Sequence, residues 1–149
     1  MGTIHTRWPV ARDHAVEPDD LDSNGDVSDA AIERWISHAC TTYFEQCQVL
    51  ERTRAADGLE LRLEARATAT ARRLEPSPAV LVSIGTTEIF PTSFVVALRL
   101  RPIHGDRDDP MDVTRVVRLV DPVTGEPHAI TDEIRDELIA LEHAARHFN

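Results

Sequence analysis

The most informative part of the sequence is residues 19–50, which read DDLDSNGDVSDAAIERWISHACTTYFEQCQVL. An acidic turn with one glycine leads into a segment whose apolar residues recur every three or four positions, the spacing of one helix face. These apolar residues are Ile32, Trp35, Ile36, Ala39, Cys40, Tyr43, Phe44 and Cys47. Because this face is broad and rich in aromatic side chains, the sequence predicts one long helix over residues 28–50 that other elements surround.

The start of this helix carries several local signals. Ser28 is suited to be the N-cap, since its hydroxyl can accept a hydrogen bond from an amide of the first turn. Val27 and Ile32 occupy the two positions of a hydrophobic staple. Asp29 would be the first helical residue, where a negative charge interacts favourably with the helix dipole. The sequence therefore predicts a well-defined helix start directly after the acidic turn.

The composition is that of one globular domain spanning residues 1–149. The chain is 42% hydrophobic and 28% charged, which is typical of a soluble protein long enough to form a sizeable core. Its apolar runs fall short of the roughly 20 residues needed to cross a bilayer. Because the beginning, MGTIHTRWPV, lacks the apolar segment of a signal peptide, we expect a cytoplasmic protein without a membrane association.

The formal net charge is −10, and all 16 basic residues are arginines. A strongly acidic chain is not expected to bind nucleic acid, because contacts to phosphates need a basic surface. The absence of lysine excludes chemistry through a lysine Schiff base.

Metal-binding spacings are scarce. Cys40 and Cys47 lie about 10 Å apart along a helix with a rise of 1.5 Å per residue, too far to form a disulfide, and we expect two reduced core residues. His143 and His147 are four residues apart on a predicted helix, but imidazoles near a helix C-terminus also interact favourably with the dipole. The sequence therefore predicts no metal site.

The rest of the chain is dominated by strand signals. Residues 4–17 have strand-like content interrupted by Pro9, which predicts an edge strand or two short strands. In residues 59–75 apolar and polar positions alternate, which favours a strand with one wet face over a helix. Further strands are predicted at 79–90, 93–103 and 111–121.

The order of the elements predicts the fold class. Consecutive strands with short connections form an antiparallel meander, and Thr131 is the candidate N-cap of a terminal helix at 132–147. A sheet with one apolar face and one unusually apolar helix bury most surface when the sheet curls around the helix. We therefore expect an α+β fold with about five antiparallel strands. The open edge of such a sheet predicts a homodimer or homotetramer.

The acidic turn and the order of elements resemble the hotdog-fold acyl-CoA thioesterases, specifically the 4-hydroxybenzoyl-CoA thioesterase-like branch. That branch carries Asp-x-Asp-x-x-Gly-His-Val-Asn-Asn at the entry to its central helix, and residues 20–29 read DLDSNGDVSD. Weaker similarities are RRLEP at 72–76, TSF at 92–94 and VDPVTGEP at 120–127. The resemblance covers nearly the whole chain and implies a hotdog fold, a curled antiparallel sheet around one central helix.

The resemblance also implies an activity, the hydrolysis of an acyl-CoA thioester without a metal or organic cofactor. Asp22 falls at the family's catalytic carboxylate, as nucleophile or general base, and Gly25 belongs to the same substrate-binding turn. The amide of Asp29 falls at the oxyanion donor, a role that suits the unpaired N–H groups of a helix N-terminus. Arg72 and Arg73 are candidates to bind the CoA phosphates as bidentate forks. The small and aliphatic strand residues favour an aliphatic acyl group over an aryl one.

Other interpretations of the turn remain open. Asp26 replaces the branch's usual histidine, and Ser28 and Asp29 replace its paired asparagines. A non-catalytic hotdog module that binds acyl-CoA or has a structural role is therefore the main alternative. The turn also resembles an EF-hand calcium loop, but the twelfth position, which needs a bidentate Glu, is Ala31. A polar turn that only caps the helix is a further possibility.

Overall fold

The structure is a computed structural model that describes residues 8–65, 74–104 and 109–147, with side chains as far as residue 145. Its five strands form one antiparallel sheet in the order β1–β3–β4–β5–β2. The elements in chain order are β1 (Val10–Ala15), a turn of 3-10 helix (Pro18–Asp20), α1 (Asp29–Gln46), α2 (Gln48–Asp57), β2 (Glu60–Ala65), β3 (Ala79–Ile89), β4 (Phe94–Ile103), β5 (Met111–Val120) and α3 (Asp132–His147). The predicted α+β class is confirmed.

The apolar face of α1 packs against the concave face of the curled sheet, chiefly on β3 and β1. All eight residues of the predicted helix stripe are buried. The sheet contributes the alternate, inward-facing residues Val80, Val82, Ile84, Phe94, Val96, Leu98 and Leu100. Phe44 meets Phe94 edge-on, with ring centroids 6.3 Å apart. Full burial of one such large side chain contributes roughly 1.5–3 kcal/mol, so this helix–sheet interface is the main source of stability.

The prediction of a single helix over residues 28–50 is wrong in one respect. The chain leaves the helical conformation at Cys47, which has φ −91° and ψ 79°, and a second helix begins at the next residue. This second helix, α2, continues past the predicted end and stops at Gly58, whose φ is 64°. Apolar spacing cannot reveal the break, because Phe44 before it, Cys47 at it and Leu50 after it are all buried in the same core.

The carboxylate of Glu137 on α3 caps the N-terminus of α2. It accepts hydrogen bonds from the amides of Val49, at 2.9 Å, and Leu50, at 3.3 Å. The first amides of any helix lack acceptors inside that helix, and a negative charge there interacts favourably with the dipole. Since α2 has no side-chain cap at Cys47, the carboxylate supplied by α3 stabilises the break between α1 and α2.

A second carboxylate of α3, that of Glu142, binds the far end of β3. Its Oε1 accepts hydrogen bonds from the amide of Thr86, at 2.6 Å, and from the hydroxyl of Tyr43, at 3.2 Å. A Cβ at Gly85 would lie only 3.0 and 3.1 Å from the two carboxylate oxygens, so a larger residue here would require the carboxylate to shift by a few tenths of an ångström. The predicted N-cap of α3 is also confirmed, since Thr131 Oγ1 accepts from the amide of Ile134.

The strand β2 is not part of the predicted meander. Only β3, β4 and β5 are neighbours in sequence order, whereas β2 crosses to the far edge and pairs with β5. The described part of the strand predicted at 59–75 is Glu60–Ala65. Its alternate residue Leu63 is 40% exposed, so the predicted apolar face borders open space. Alternation predicts that a segment is a strand, but it does not say which strand pairs with it.

At the opposite edge of the sheet, β1 directs His14 towards α1. The imidazole stacks on Trp35 at a centroid distance of 6.2 Å and meets His38 edge-on at 5.1 Å. His14 Nε2 is buried and has no hydrogen-bond partner among the described residues. Burial first, and the neighbouring His38 second, lower the pKa of His14; Arg12 and Arg34 act in the same direction and Asp13 opposes them.

We predict that Glu137→Ala lowers the free energy of unfolding by about 1–2 kcal/mol, because two amides at the start of α2 lose their acceptor. Urea unfolding with a fixed slope measures the change. Asp136→Ala, an exposed neighbour on the same helix, is the matched control and should change stability by less than about 0.5 kcal/mol. Equal effects of the two substitutions would contradict the capping role.

We also predict that stability decreases as the pH falls below the ordinary histidine pKa of 6.5, in part through His14. The folded protein binds a proton at His14 less readily than the unfolded chain does, so acid favours unfolding, with a slope of at most about 1.4 kcal/mol per pH unit for one group. The measurement is urea unfolding from about pH 8 to about pH 5, above the range in which carboxylates titrate.

When the same series of urea unfolding measurements is made on His14→Phe, the share of the pH dependence that His14 contributes should be absent. The phenyl ring keeps a flat surface against Trp35. His104→Asn removes an exposed imidazole at a position with φ 62°, which asparagine tolerates, and should keep the wild-type slope. An unchanged slope in His14→Phe would show that another group dominates the pH dependence.

Candidate functional site

The acidic turn is closed by a two-residue β-bridge between Leu21 and Val27. Within it, Asp22 donates its amide to the carbonyl of Asp26 at 2.7 Å and accepts from the amide of Gly25 at 3.0 Å. Gly25 has φ 81°, a conformation that glycine adopts without steric cost. The side chain of Asp22 adds two further bonds, from the amides of Asn24, at 2.8 Å, and Asp26, at 3.0 Å, both to Oδ1. The half-buried carboxylate of Asp22 is therefore held in a fixed orientation by its own loop.

The turn delivers the chain directly to the N-terminus of α1. Ser28 is the N-cap as predicted, with its hydroxyl accepting from the amide of Ala31 at 3.1 Å. The predicted staple residues Val27 and Ile32 are both buried. Asp29 is the first helical residue, and the amides at the first positions of a helix have no acceptor within it. The predicted oxyanion donor thus lies at a helix end that presents partial positive charge.

Asp20, at the first position of the possible calcium loop, is committed to other contacts. Its buried carboxylate accepts from the amide of Glu17 at 2.9 Å and forms an ion pair with Arg34. The hydrogen bond from Glu17 and then the one from Arg34 lower the pKa of Asp20, against the opposing effect of burial. This orientation does not match an EF-hand loop, and in the ranges that the structure describes no three His, Cys, Asp or Glu side chains converge as metal ligands.

A groove of about 630 Å³ runs between α1, α2 and β2. Its apolar walls are formed by Cys40, Phe44, Leu59, Leu61 and Leu63. Burial raises the pKa of the Cys40 thiol to about 12, so this cysteine is a protonated wall residue and not a nucleophile at neutral pH. The groove runs alongside the helix whose N-terminus carries the acidic turn, and the charged residues Glu45, Glu51, Arg54 and Glu60 also line it.

No family model and no curated protein matches the sequence of the chain. Solved structures do match it. A thioesterase from Thermus thermophilus, crystallised with coenzyme A and zinc, shares 23% identity over 91% of this chain and 96% of its own, with a TM-score of 0.64. A thioesterase superfamily protein from Jannaschia sp. CCS1 gives a TM-score of 0.68 at 17% identity, over 91% and 84% of the two chains.

A third solved structure is the 4-hydroxybenzoyl-CoA thioesterase from Pseudomonas sp. strain CBS-3. It shares 15% identity over 88% of this chain and 99% of its own, with a TM-score of 0.59. The chain has a hotdog fold. The predicted resemblance is thus confirmed at the level of the fold. Among the described residues of this hotdog domain, no helix is both long and apolar enough to span a membrane.

One charged residue of the hotdog interior was missed from the sequence. Arg115 on β5 is in phase with Val113, Val117 and Leu119, all buried on the concave face. Its side chain is only 13% exposed, and its Nη2 donates to Glu33 Oε1 on α1 at 2.8 Å. The sequence does indicate this residue, because Arg115 stands at a position of the strand where the alternation predicts an inward-facing apolar side chain, and arginine is unusual there.

The predicted site residues are only partly brought together. Asp22, Gly25 and Asp29 lie in one turn and the helix start that follows it. The predicted phosphate-binding residues Arg72 and Arg73 lie outside the described residues, as does the side chain of His147 in the possible metal pair. The structure thus places the acidic turn at the entry to α1, with a groove beside the same helix.

We predict that Asp22→Ala destabilises the protein by about 1 kcal/mol, because the amides of Asn24 and Asp26 lose their shared acceptor. Asp22→Asn keeps an acceptor at Oδ1 and should leave the thermal midpoint close to that of the wild type. Circular dichroism melts of the two variants measure the difference. If both variants melt together with the wild type, the side chain of Asp22 does not stabilise its loop.

Proposed function

We propose that this chain, as one hotdog domain over residues 1–149, hydrolyses an acyl-CoA thioester to a free acid and CoA. The observation that carries the proposal is the turn in which an oriented carboxylate, that of Asp22, precedes the capped N-terminus of α1. A nucleophile next to amides that stabilise an oxyanion is the arrangement that acyl transfer requires. The fold is shared with several thioesterases, one of them crystallised with coenzyme A.

In the proposed reaction, a carboxylate oxygen of Asp22 attacks the carbonyl carbon of the thioester. The carbonyl becomes a tetrahedral oxyanion that accepts a hydrogen bond from the amide of Asp29. Collapse of this intermediate breaks the carbon–sulfur bond, CoA leaves as a thiolate that takes up a proton, and water hydrolyses the mixed anhydride on Asp22. If Asp22 acts instead as a general base, its carboxylate accepts a proton from the water molecule that attacks the same carbon.

The proposed substrate has two parts with different requirements. The groove beside α1 is suited to the acyl group, because its wall residues Phe44, Leu59, Leu61 and Leu63 are apolar. Gly25 would let the substrate approach the turn closely, since it has no side chain and a Cβ at this position would meet nothing within 4 Å. Arg72 and Arg73 remain the proposed ligands of the CoA phosphates.

The proposed assembly is a homodimer or homotetramer. Within the described sheet, β2 forms one edge and exposes Leu63, which is 40% accessible to solvent. An edge strand with an exposed apolar side chain is a surface that proteins normally cover. Pairing with a second copy would cover this edge next to the groove.

A second candidate function is a non-catalytic module that binds acyl-CoA. One observation favours it, namely that both hydrogen bonds to Asp22 Oδ1 come from amides of its own loop. This is the geometry of an aspartate that stabilises a turn. Such a module would keep the groove and the helix N-terminus but would not turn over a thioester.

The test is thioester hydrolysis across a panel of acyl-CoAs with the wild type, Asp22→Asn and Asp19→Asn. We predict that the wild type turns over at least one substrate and that Asp22→Asn loses activity by about a hundredfold or more, the usual effect of removing a key catalytic group. Asp22→Asn is preferred to the alanine variant because it preserves the acceptor of the turn. Asp19→Asn, an exposed acid next to the same turn, should retain wild-type rates.

Thermal melts and light scattering on each variant control for folding and assembly. A wild type that is inert on the whole panel, or an Asp22→Asn variant that keeps its rate, would reject the proposed mechanism. An inert wild type whose melting temperature rises with acyl-CoA would favour the non-catalytic module, since a ligand that binds the folded state stabilises it.

A further inference from the structure

The ion pair between Arg115 and Glu33 lies at one end of the groove beside α1. On the strand side, Leu61 and Leu63 of the groove wall pair with Leu119 and Val117, and the next inward pair along β2 is Ala65 with Arg115. Arg115 is thus the next inward-facing position directly beyond the residues that line the groove.

On the helix side, the groove is lined by Phe44, Cys40 and Ser37, and Glu33 lies one turn before Ser37 on the same helix face. Glu33 is in turn four residues after Asp29, a separation of about one helical turn, 5.4 Å. The ion pair thus lies between the apolar groove and the helix N-terminus that carries the proposed oxyanion donor.

The guanidinium of Arg115 has unused capacity to donate hydrogen bonds. Its Nη1 donates to the carbonyl of Thr114 at 3.1 Å and its Nη2 to Glu33, whereas a guanidinium has five N–H groups. In the described part of the chain, no nitrogen of Arg115 is both buried and without a partner. Its Nε, which makes neither of these bonds, is therefore accessible to solvent.

Glu33 is a replaceable partner for this cation. Its side chain is 63% exposed, whereas that of Arg115 is 13% exposed. A solvated carboxylate can move away into water at little cost, but the mostly buried guanidinium needs an anion or another acceptor. An anionic ligand in the groove can therefore replace Glu33 as the acceptor for Arg115, because a guanidinium can donate two parallel hydrogen bonds to a carboxylate.

We infer that Arg115 determines specificity by binding a carboxylate of the acyl group. The inference rests on the proposed thioesterase function and names its substrate class, the CoA thioesters of short dicarboxylic acids. The carboxylate must lie only a few carbon atoms from the thioester, because Glu33, the partner of Arg115, is about one helical turn from the proposed oxyanion donor. A plain alkyl chain would fill the apolar wall but leave the guanidinium with Glu33 alone.

The test is a calorimetric measurement of binding that does not depend on turnover. The probes are two thioethers of equal carbon count, carboxypropyl-CoA and butyl-CoA. The wild type should bind carboxypropyl-CoA about tenfold or more tightly than butyl-CoA, the range expected for a hydrogen-bonded charge pair. Arg115→Gln should abolish this preference while it leaves the affinity for butyl-CoA within about twofold.

Two further variants sharpen the test. Glu33→Gln removes the competing internal anion from an exposed position, so it should increase the preference for carboxypropyl-CoA by a few-fold. This opposite sign keeps the inference testable even if Arg115→Gln fails to fold. Arg118→Gln is the matched control, because Arg118 lies on the same strand but outside the apolar phase and pairs with Glu64; it should keep the wild-type preference.

Each outcome separates this inference from the proposed function. Equal affinities of the wild type for the two thioethers, or a preference that survives in Arg115→Gln, would overturn the role of Arg115 even if thioesters are hydrolysed. A clear preference in a wild type that hydrolyses nothing would retain the anion site and reject the proposed hydrolysis. A wild type that binds neither thioether would overturn the inference about Arg115, whereas the hydrolysis panel tests the proposed function independently.

Discussion

The fold depends on the burial of one helix that is too apolar for an ordinary surface position. The stripe of α1 includes Trp35, Tyr43 and Phe44, all buried, and a flat sheet would cover only part of such a broad face. Curling of the sheet brings strands against several sides of the helix and satisfies the backbone hydrogen bonds at the same time. The entry to α1 is then fixed by the buried staple residue Val27, which also fixes the acidic turn in front of it.

The sequence predicts those parts of the fold that local patterns determine. The helix stripe, the N-caps Ser28 and Thr131, and the five strands all follow from patterns within a few residues. The structure confirms them, with the strand predicted at 59–75 described over Glu60–Ala65. The errors concern contacts between distant segments. The break at Cys47 is stabilised by Glu137, 88 residues from Val49, and the place of β2 depends on β5. Period and propensity contain no information about such partners.

The candidate site shows the same division. The loop of Asp22 and the helix start at Asp29 are local, so a motif in ten residues describes them well. The ion pairs around them join residues far apart in sequence, 14 positions for Asp20 with Arg34 and 82 for Glu33 with Arg115. Arg115 nevertheless leaves a trace in the sequence, as a charged residue at an apolar phase of its strand. Such exceptions to a pattern indicate places where folding and function make different demands.

The two carboxylates of α3 have a consequence for how the protein is made. Glu137 caps α2, and Glu142 is the acceptor for the buried hydroxyl of Tyr43 and for the amide of Thr86. Both acids belong to α3, which is synthesised after α1, α2 and β3. On the nascent chain, the start of α2 and the amide of Thr86 therefore lack these acceptors until α3 has emerged from the ribosome.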